Sequence, residues 1–277
     1  MFDVHILDLG FIENNIRREI YDNVRDSIPS CLRKDFQYSE HGPFCLPLMP
    51  DTDEYLYVTK MAKRIGAHLE IREKTVYTPI EEKNCEFFYM WLSDPMEIEA
   101  VHLEDYGTQF RNGCTLCDAN RSLVSDALID RKLIKKKPIL QLTDSIIAIS
   151  KSTKWLIEEN SLTGFEFKHM LKDYKGREMG EYFCIEPTAN NILPPMHSQT
   201  WFWEWREKSC EHKQYLIASN VKYSHSSLVK AKDLNFSFEF SYGLKPNRFI
   251  VVSKKLRDIF IKNKVRAGFM PVNIIDD

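Results

Sequence analysis

The sequence predicts an α+β protein in which two repeated modules, each a mixed sheet with a helix, stand behind a mainly helical N-terminal region. Three observations carry this expectation. A series of short segments recurs in the same order further along the chain. Each series ends in a β-branched run, a serine and a stretch of helical period. Residues 1–80 share neither feature and open on apolar residues spaced in steps of four. The expected domains are 1–80, 81–173 and 174–277.

In the N-terminal region, Ile12, Ile16, Ile20, Val24 and Ile28 fall on one face of a helix, and Pro29 stops it. His41 to Pro50 contains Pro43, Pro47 and Pro50 and reads as an extended or turning connection. A second helix is expected from about Thr52 to Ala67, with Asp51 or Thr52 as N-cap and Gly66 at its end. His68 to Tyr77 reads as a strand.

The repeat begins near residue 86. Glu86-Phe87-Phe88 matches Glu181-Tyr182-Phe183, and Cys114 matches Cys210. Ile147 to Lys151 matches Ile250 to Lys254, Asn160-Ser161-Leu162 matches Asn263-Lys264-Val265, and Gly164-Phe165 matches Gly268-Phe269. The separations only grow along the chain, so all the pairs fit one alignment with small insertions. Each copy closes alike: a buried strand (Ile146 to Ile149; Phe249 to Val252), then Ser150 or Ser253 as N-cap, then a helix. A glycine and a second strand follow (Gly164 to Met170; Gly268 to Ile274), making a crossover onto a sheet. Asp173 to Gly180 is a polar turn between the copies, and Pro187 to Pro195 is a loop. Trp201, Trp203 and Trp205 alternate, so a strand would put them on one face, turned either to the core or to a partner.

With 43% hydrophobic and 28% charged residues, the 277-residue chain belongs with globular rather than disordered proteins. A net charge of -2 argues against nonspecific nucleic-acid binding. No apolar run is long enough to span a bilayer, and the acidic first residues do not read as a secretory signal. A cytoplasmic location is expected, and an odd set of irregularly spaced cysteines suits it.

Cys114-x-x-Cys117 is the sharpest chemical signal. Two thiolates three residues apart after a glycine turn supply half of a tetrahedral zinc site. The second copy supplies Cys210 at the place of Cys114 and Lys213 at the place of Cys117, with His212 one residue earlier. Cys114, Cys117, Cys210 and His212 are therefore the candidate ligands of one structural zinc. Ordinary reduced cysteines are the bland reading, and redox chemistry is disfavoured because no helix is expected to open at the pair. No nucleophile elbow, P-loop, His-Glu-x-x-His or dinucleotide glycine motif occurs, so no catalytic residue is assigned and a non-enzyme is expected. His102, His169 and His197 read as structural or solvated. Lys132 to Lys137 reads as the end of a helix running from Arg121 and stopped by Pro138, with contact to phosphates as the sharper alternative.

Several motifs resemble one bacterial family, the double-CxxCG immunity proteins. They are Tyr106-Gly107, Cys114-x-x-Cys117, "LIKKKP" at 133–138, "IAISK" at 147–151 and "ENSLTGFEF" at 159–167. In the second copy they are Cys210, Asp233 to Phe236, Tyr242-Gly243 with Pro246, and "FIVVSKKL" at 249–256. The resemblance covers about residues 86–274, and the family's second Cys-x-x-Cys is reduced here to Cys210 alone. It implies an immunity protein that binds and neutralises a cognate secreted toxin in the cytoplasm, with that toxin as its partner; from the apolar runs and the charge, no membrane is expected and nucleic acid is disfavoured. The alternative from another class is a zinc-ribbon nucleic-acid-binding protein.

Overall fold

The computed structural model describes residues 2–10, 12–33, 44–92, 103–111, 113–114, 116–117, 119–134, 137–142, 145–200, 202–205, 210, 212–217, 220–241 and 247–277. The side chains of Phe2, Trp203 and Trp205 are not included. His41 to Pro43, His102, Lys135-Lys136, Trp201 and Tyr242 to Pro246, all singled out above, lie outside the described residues. The chain divides into two compact units, one made essentially of residues 1–83 and one of residues 84–217 with 221–277.

The first unit corrects the expectation of a mainly helical region. Its centre is an antiparallel sheet in the order β2-β1-β3, with β1 at Phe2–Asp8, β2 at Cys45–Leu48 and β3 at Glu70–Val76. β2 is an edge strand, which is where Pro47 is tolerated because its missing N–H breaks no central ladder. The two expected helices are present. Helix α1 is Asn14–Val24 and buries Ile20 and Val24; helix α2 is Asp53–Ile65. Thr52 caps α2 by accepting from the Tyr55 N–H, and Gly66 ends it at φ 67°, a left-handed conformation that suits glycine. These elements bury Val4, Leu7, Leu46, Leu48, Val58 and Ile20 in one cluster. A short helix, α3 (Pro79–Asn84), leads to the second unit.

The second unit contains two main sheets and two small ribbons. β4 is Phe87–Trp91, and the ribbon β5-β6 is Phe110–Arg111 with Ser122–Leu123. The five-stranded sheet runs β7-β10-β11-β9-β8: Ala127–Ile129, His169–Asp173, Tyr182–Ile185, Ile147–Ser150 and Ile139–Gln141. Helix α4 (Lys151–Glu159) connects β9 to β10. The six-stranded sheet runs β12-β13-β15-β16-β4-β17, where β12 is Phe202–Trp205, β13 Gln214–Ile217, β15 Leu234–Ser241, β16 Asn247–Ser253 and β17 Gly268–Pro271. β14 (Lys222–Ser224) pairs in parallel with β18 (Asn273–Ile275). Helix α5 is His225–Leu228, and α6 (Lys254–Lys262) connects β16 to β17.

The two strand–helix segments agree bond for bond. Ser150 caps α4 by accepting from the Thr153 N–H, and Ser253 caps α6 by accepting from the Leu256 N–H. At the other end, Asn160 Nδ2 donates to the Leu156 carbonyl and Asn263 Nδ2 to that of Ile259. Ser161 and Lys264 then take positive φ (50° and 56°), and the N–H groups of Leu162 and Val265 return to Ile157 and Phe260. These last bonds satisfy carbonyls that a helix terminus leaves open. The paired positions also meet in one core: Ile147 with Ile250, Ile149 with Val252, Ile157 with Phe260 and Leu162 with Val265 all belong to a single buried cluster.

Two further expectations are corrected. Residues 121–133 form β6, β7 and a 3-10 turn rather than a helix. Leu123, Ala127 and Ile129 are buried, and sheet packing overrides the helical reading of the lysine-rich end. The strand expected from Gly164 starts only at His169. Gly164 instead has φ 90°, and a Cβ there would lie 2.1 Å from the Leu234 carbonyl oxygen, so the glycine serves a close backbone approach. Among the described residues, no helix is long and apolar enough to cross a membrane.

Candidate metal centre

Cys114 and Cys117 sit in a tight turn between β5 and β6. The turn is closed by the Cys114 N–H donating to the Ala119 carbonyl at 2.9 Å. Gly113 is required at its entry: φ is 94°, and a Cβ would meet Arg121 Cγ at 2.3 Å and the Ala119 oxygen at 3.2 Å. Asn120 leaves the turn at φ 65°. Arg121 anchors it from behind, stacking over Phe110 at 4.4 Å and pairing with Glu104. Cys210 and His212 approach from the segment before β13, where the His212 N–H donates to Cys210 Sγ at 3.4 Å.

These four residues converge, as the sequence predicts. Their ligand atoms all lie within 4.8 Å of one another. Cys210 Sγ is 3.2 Å from Cys117 Sγ and 3.6 Å from Cys114 Sγ. His212 Nδ1 is 3.7 Å from both Cys117 Sγ and Cys210 Sγ. A tetrahedral zinc with bonds of about 2.3 Å to sulfur and about 2.0 Å to nitrogen spaces its ligands by roughly 3.5–3.8 Å. Three of these four distances are within a few tenths of an ångström of that figure, the Cys117–Cys210 pair being closer, and all seven cysteines are unbridged thiols. The group is therefore close enough to hold a metal ion. Three sulfurs and one imidazole nitrogen form a closed set of four donors suited to a borderline-soft cation, without an open position for substrate.

The thiols are polarised differently. The backbone N–H groups of Leu116 and Cys117 point at Cys114 Sγ and bring its pKa down to about 6, so the thiolate form that a metal needs is already favoured. Burial pushes Cys117 up to about 12. A cation placed between the sulfurs supplies the missing counter-charge and reverses that preference.

The sequence did not reveal the residues that hold the imidazole. His212 turns Nδ1 to the sulfurs and Nε2 to Asn120 Nδ2 at 3.4 Å. Asn120 Oδ1 accepts from Arg248 Nη2 at 2.6 Å, and the guanidinium lies 4.3 Å over Phe240, which meets the His212 ring edge-on. With its oxygen taken by Arg248, Asn120 offers the imidazole an N–H, which pairs with Nε2 only when the ring proton is on Nδ1. These residues pack around the ring without supplying the acceptor that the Nε2–H of an Nδ1-bound ligand would use. Asn120 and Arg248 are 128 residues apart and belong to no motif, so no sequence signal could have paired them. Lys213, aligned with Cys117, pairs instead with Glu204 at 2.8 Å. His169 lies 4.0 Å from Glu186, and His197 Nδ1 accepts from the Gln199 N–H; neither joins the cluster.

A cavity of about 390 Å³ adjoins the imidazole, with Tyr215, Phe238, Glu239 and Arg248 among its walls. Glu239 is 8% exposed and accepts from the Met196 N–H through Oε1. Its Oε2 is sealed and has no hydrogen-bond partner among the described residues, and burial raises the carboxyl pKa. No protein-family model matches the chain, and no curated protein matches it significantly.

Proposed function

We propose that this protein is a non-enzymatic binding protein of the immunity type, which blocks a cognate toxin, and that one structural zinc staples its second unit. The convergence of Cys114, Cys117, Cys210 and His212 is the observation that supports the zinc. A closed set of four protein ligands suits a structural ion rather than a catalytic one. The immunity role rests on the sequence motifs that resemble the double-CxxCG family, two of which carry the metal ligands Cys114, Cys117 and Cys210. A partner of that kind is held by surface complementarity rather than by a chemical motif.

The repeat is part of the same reading. Residues 84–277 are proposed to be two copies of one module, supported by the matching caps, helix ends and core positions of β9–α4 and β16–α6. Cys114 and Cys210 then occupy counterpart places, so the zinc joins the two copies.

Metal analysis of the purified protein tests the zinc: one zinc per chain is expected, lost in both Cys114→Ser and Cys210→Ser. Absence of metal from protein purified without chelators would refute it. The inhibitor reading is tested by co-expression with a secreted toxin encoded beside this protein, where a stable complex and rescued growth are expected. Salt-dependent retention on DNA or RNA with no toxin complex would favour a zinc-ribbon nucleic-acid binder instead.

A further inference from the structure

We infer that the two halves of residues 84–277 exchange their opening strands, so that neither half completes its sheet alone. In the five-stranded sheet β11 lies between β10 and β9 and is antiparallel to both. In the six-stranded sheet the same place, between β17 and β16, is taken by β4. The registers coincide. Tyr182 faces Ser150, Phe183 faces Ile149 and Cys184 faces Ala148; likewise Phe87 faces Ser253, Phe88 faces Val252 and Tyr89 faces Val251. The Lys151 N–H donates to Glu181 and the Lys254 N–H to Glu86. On the other side of the pair, Ile139 faces Ile149 as Leu234 faces Val252.

By sequence β4 and β11 are counterparts, since Glu86-Phe87-Phe88 aligns with Glu181-Tyr182-Phe183. Each opens its own half and is laid into the sheet of the other. The crossovers explain why. β9 and β10 run parallel with a one-strand gap between them, and so do β16 and β17. An empty gap would strand two rows of ladder N–H and C=O groups without partners. After β10 the chain turns at residues 174–181 and fills the gap with β11. After β17 it continues into β18, which pairs with β14, and the gap is filled by β4 from far upstream. The cysteine–histidine cluster has the same symmetry, with ligands from both halves. The halves are thus fitted to each other as two partners would be, by exchanged strands and by the cluster. The peptide at 174–181 is a tether, not the link that holds them.

The test uses the full chain with a protease recognition sequence inserted between Lys175 and Gly176 and cut after folding. The pieces 1–175 and 176–277 are expected to elute together without denaturant, also when a chelator is present. Separation on cutting overturns the exchange. Separation only with chelator shows that the metal alone joins the halves and overturns it equally. A second measurement uses uncut Tyr89→Pro, which removes an N–H from the middle of β4. Hydrogen exchange at Ile250–Val252 and Phe269–Met270 is expected to accelerate while Ala148–Ser150 keep their protection. Equal protection of the two sheets in that variant also overturns the inference.

Discussion

Removing zinc should lower the stability of the second unit by an amount that the site's topology sets. Cys117 and Cys210 are 93 residues apart, so an ion held by both closes a loop of that size in any state that keeps it bound. On the chain-entropy model a cross-link across roughly 100 residues is worth about 4–5 kcal/mol. Mass action gives a similar figure: free zinc at a thousand times its dissociation constant stabilises the form that binds it by about 4 kcal/mol. For a unit of about 150–250 residues, 1 kcal/mol shifts the midpoint by about 2–4 °C, so the expected change is roughly 8–16 °C. Calorimetry in zinc-buffered solution against a chelator measures it. Cys210→Ser should lose the zinc dependence, whereas Cys31→Ser, which alters an exposed cysteine of the first unit, should keep it. A midpoint that moves by less than about 2 °C in the wild type, an effect near half a kcal/mol, would refute the staple.

The other expectations concern single side chains. Asn120→Asp, which gives the His212 Nε2–H an acceptor where the amide presents a donor, should tighten zinc binding about tenfold, read by competition with a chromophoric chelator; unchanged or weaker affinity would remove position 120 from the site's support. Gly164→Ala should cost about 3 kcal/mol or more, because its Cβ meets a backbone oxygen at positive φ. Gly268→Ala should cost less, since the atoms it meets belong to Trp91, 42% exposed and able to swing; equal denaturation midpoints for the two variants would contradict this. Asp173 is held well below the ordinary carboxylate range, chiefly by Arg177, which donates to it at 2.7 and 2.9 Å. Because the folded-state pKa is depressed, the stabilisation is present in full above the unfolded value near pH 4 and is lost as pH falls below it. Arg177→Gln should therefore flatten the dependence of stability on pH in that acid window, and an unchanged slope would count against the pair.

What the sequence made legible follows from how local each cause is. The serine caps, the Asn160 and Asn263 helix ends and Gly66 act within a few residues and are legible in the sequence, which narrows the cap of α2 to Asp51 or Thr52; the structure selects Thr52. Cys114, Cys117, Cys210 and His212 are far apart in the chain, yet the alignment of the two segments placed Cys210 opposite Cys114 and so carried the inference across the chain. Asn120 and Arg248 had no such guide. β1 was missed because a single seven-residue strand shows its nature only when β2 and β3 lie on either side of it.

The exchange of β4 and β11 shows where a repeat stops being informative. Alignment identifies two strands as counterparts without saying which sheet each one joins. That choice is made by the crossovers, which leave a gap one strand wide in each sheet, and by the route of the chain after β10 and β17. Where a turn of eight residues suffices, the next strand folds back; where the chain is drawn off to pair with β14, the gap must be closed from a distance. Phe88 and Met90 are fully buried beside Ile250, Val252 and Phe260, so closing it also adds apolar contact to a core that both halves share. Halves that each hold a strand of the other lose their independence, which accounts for residues 84–217 and 221–277 forming one compact unit.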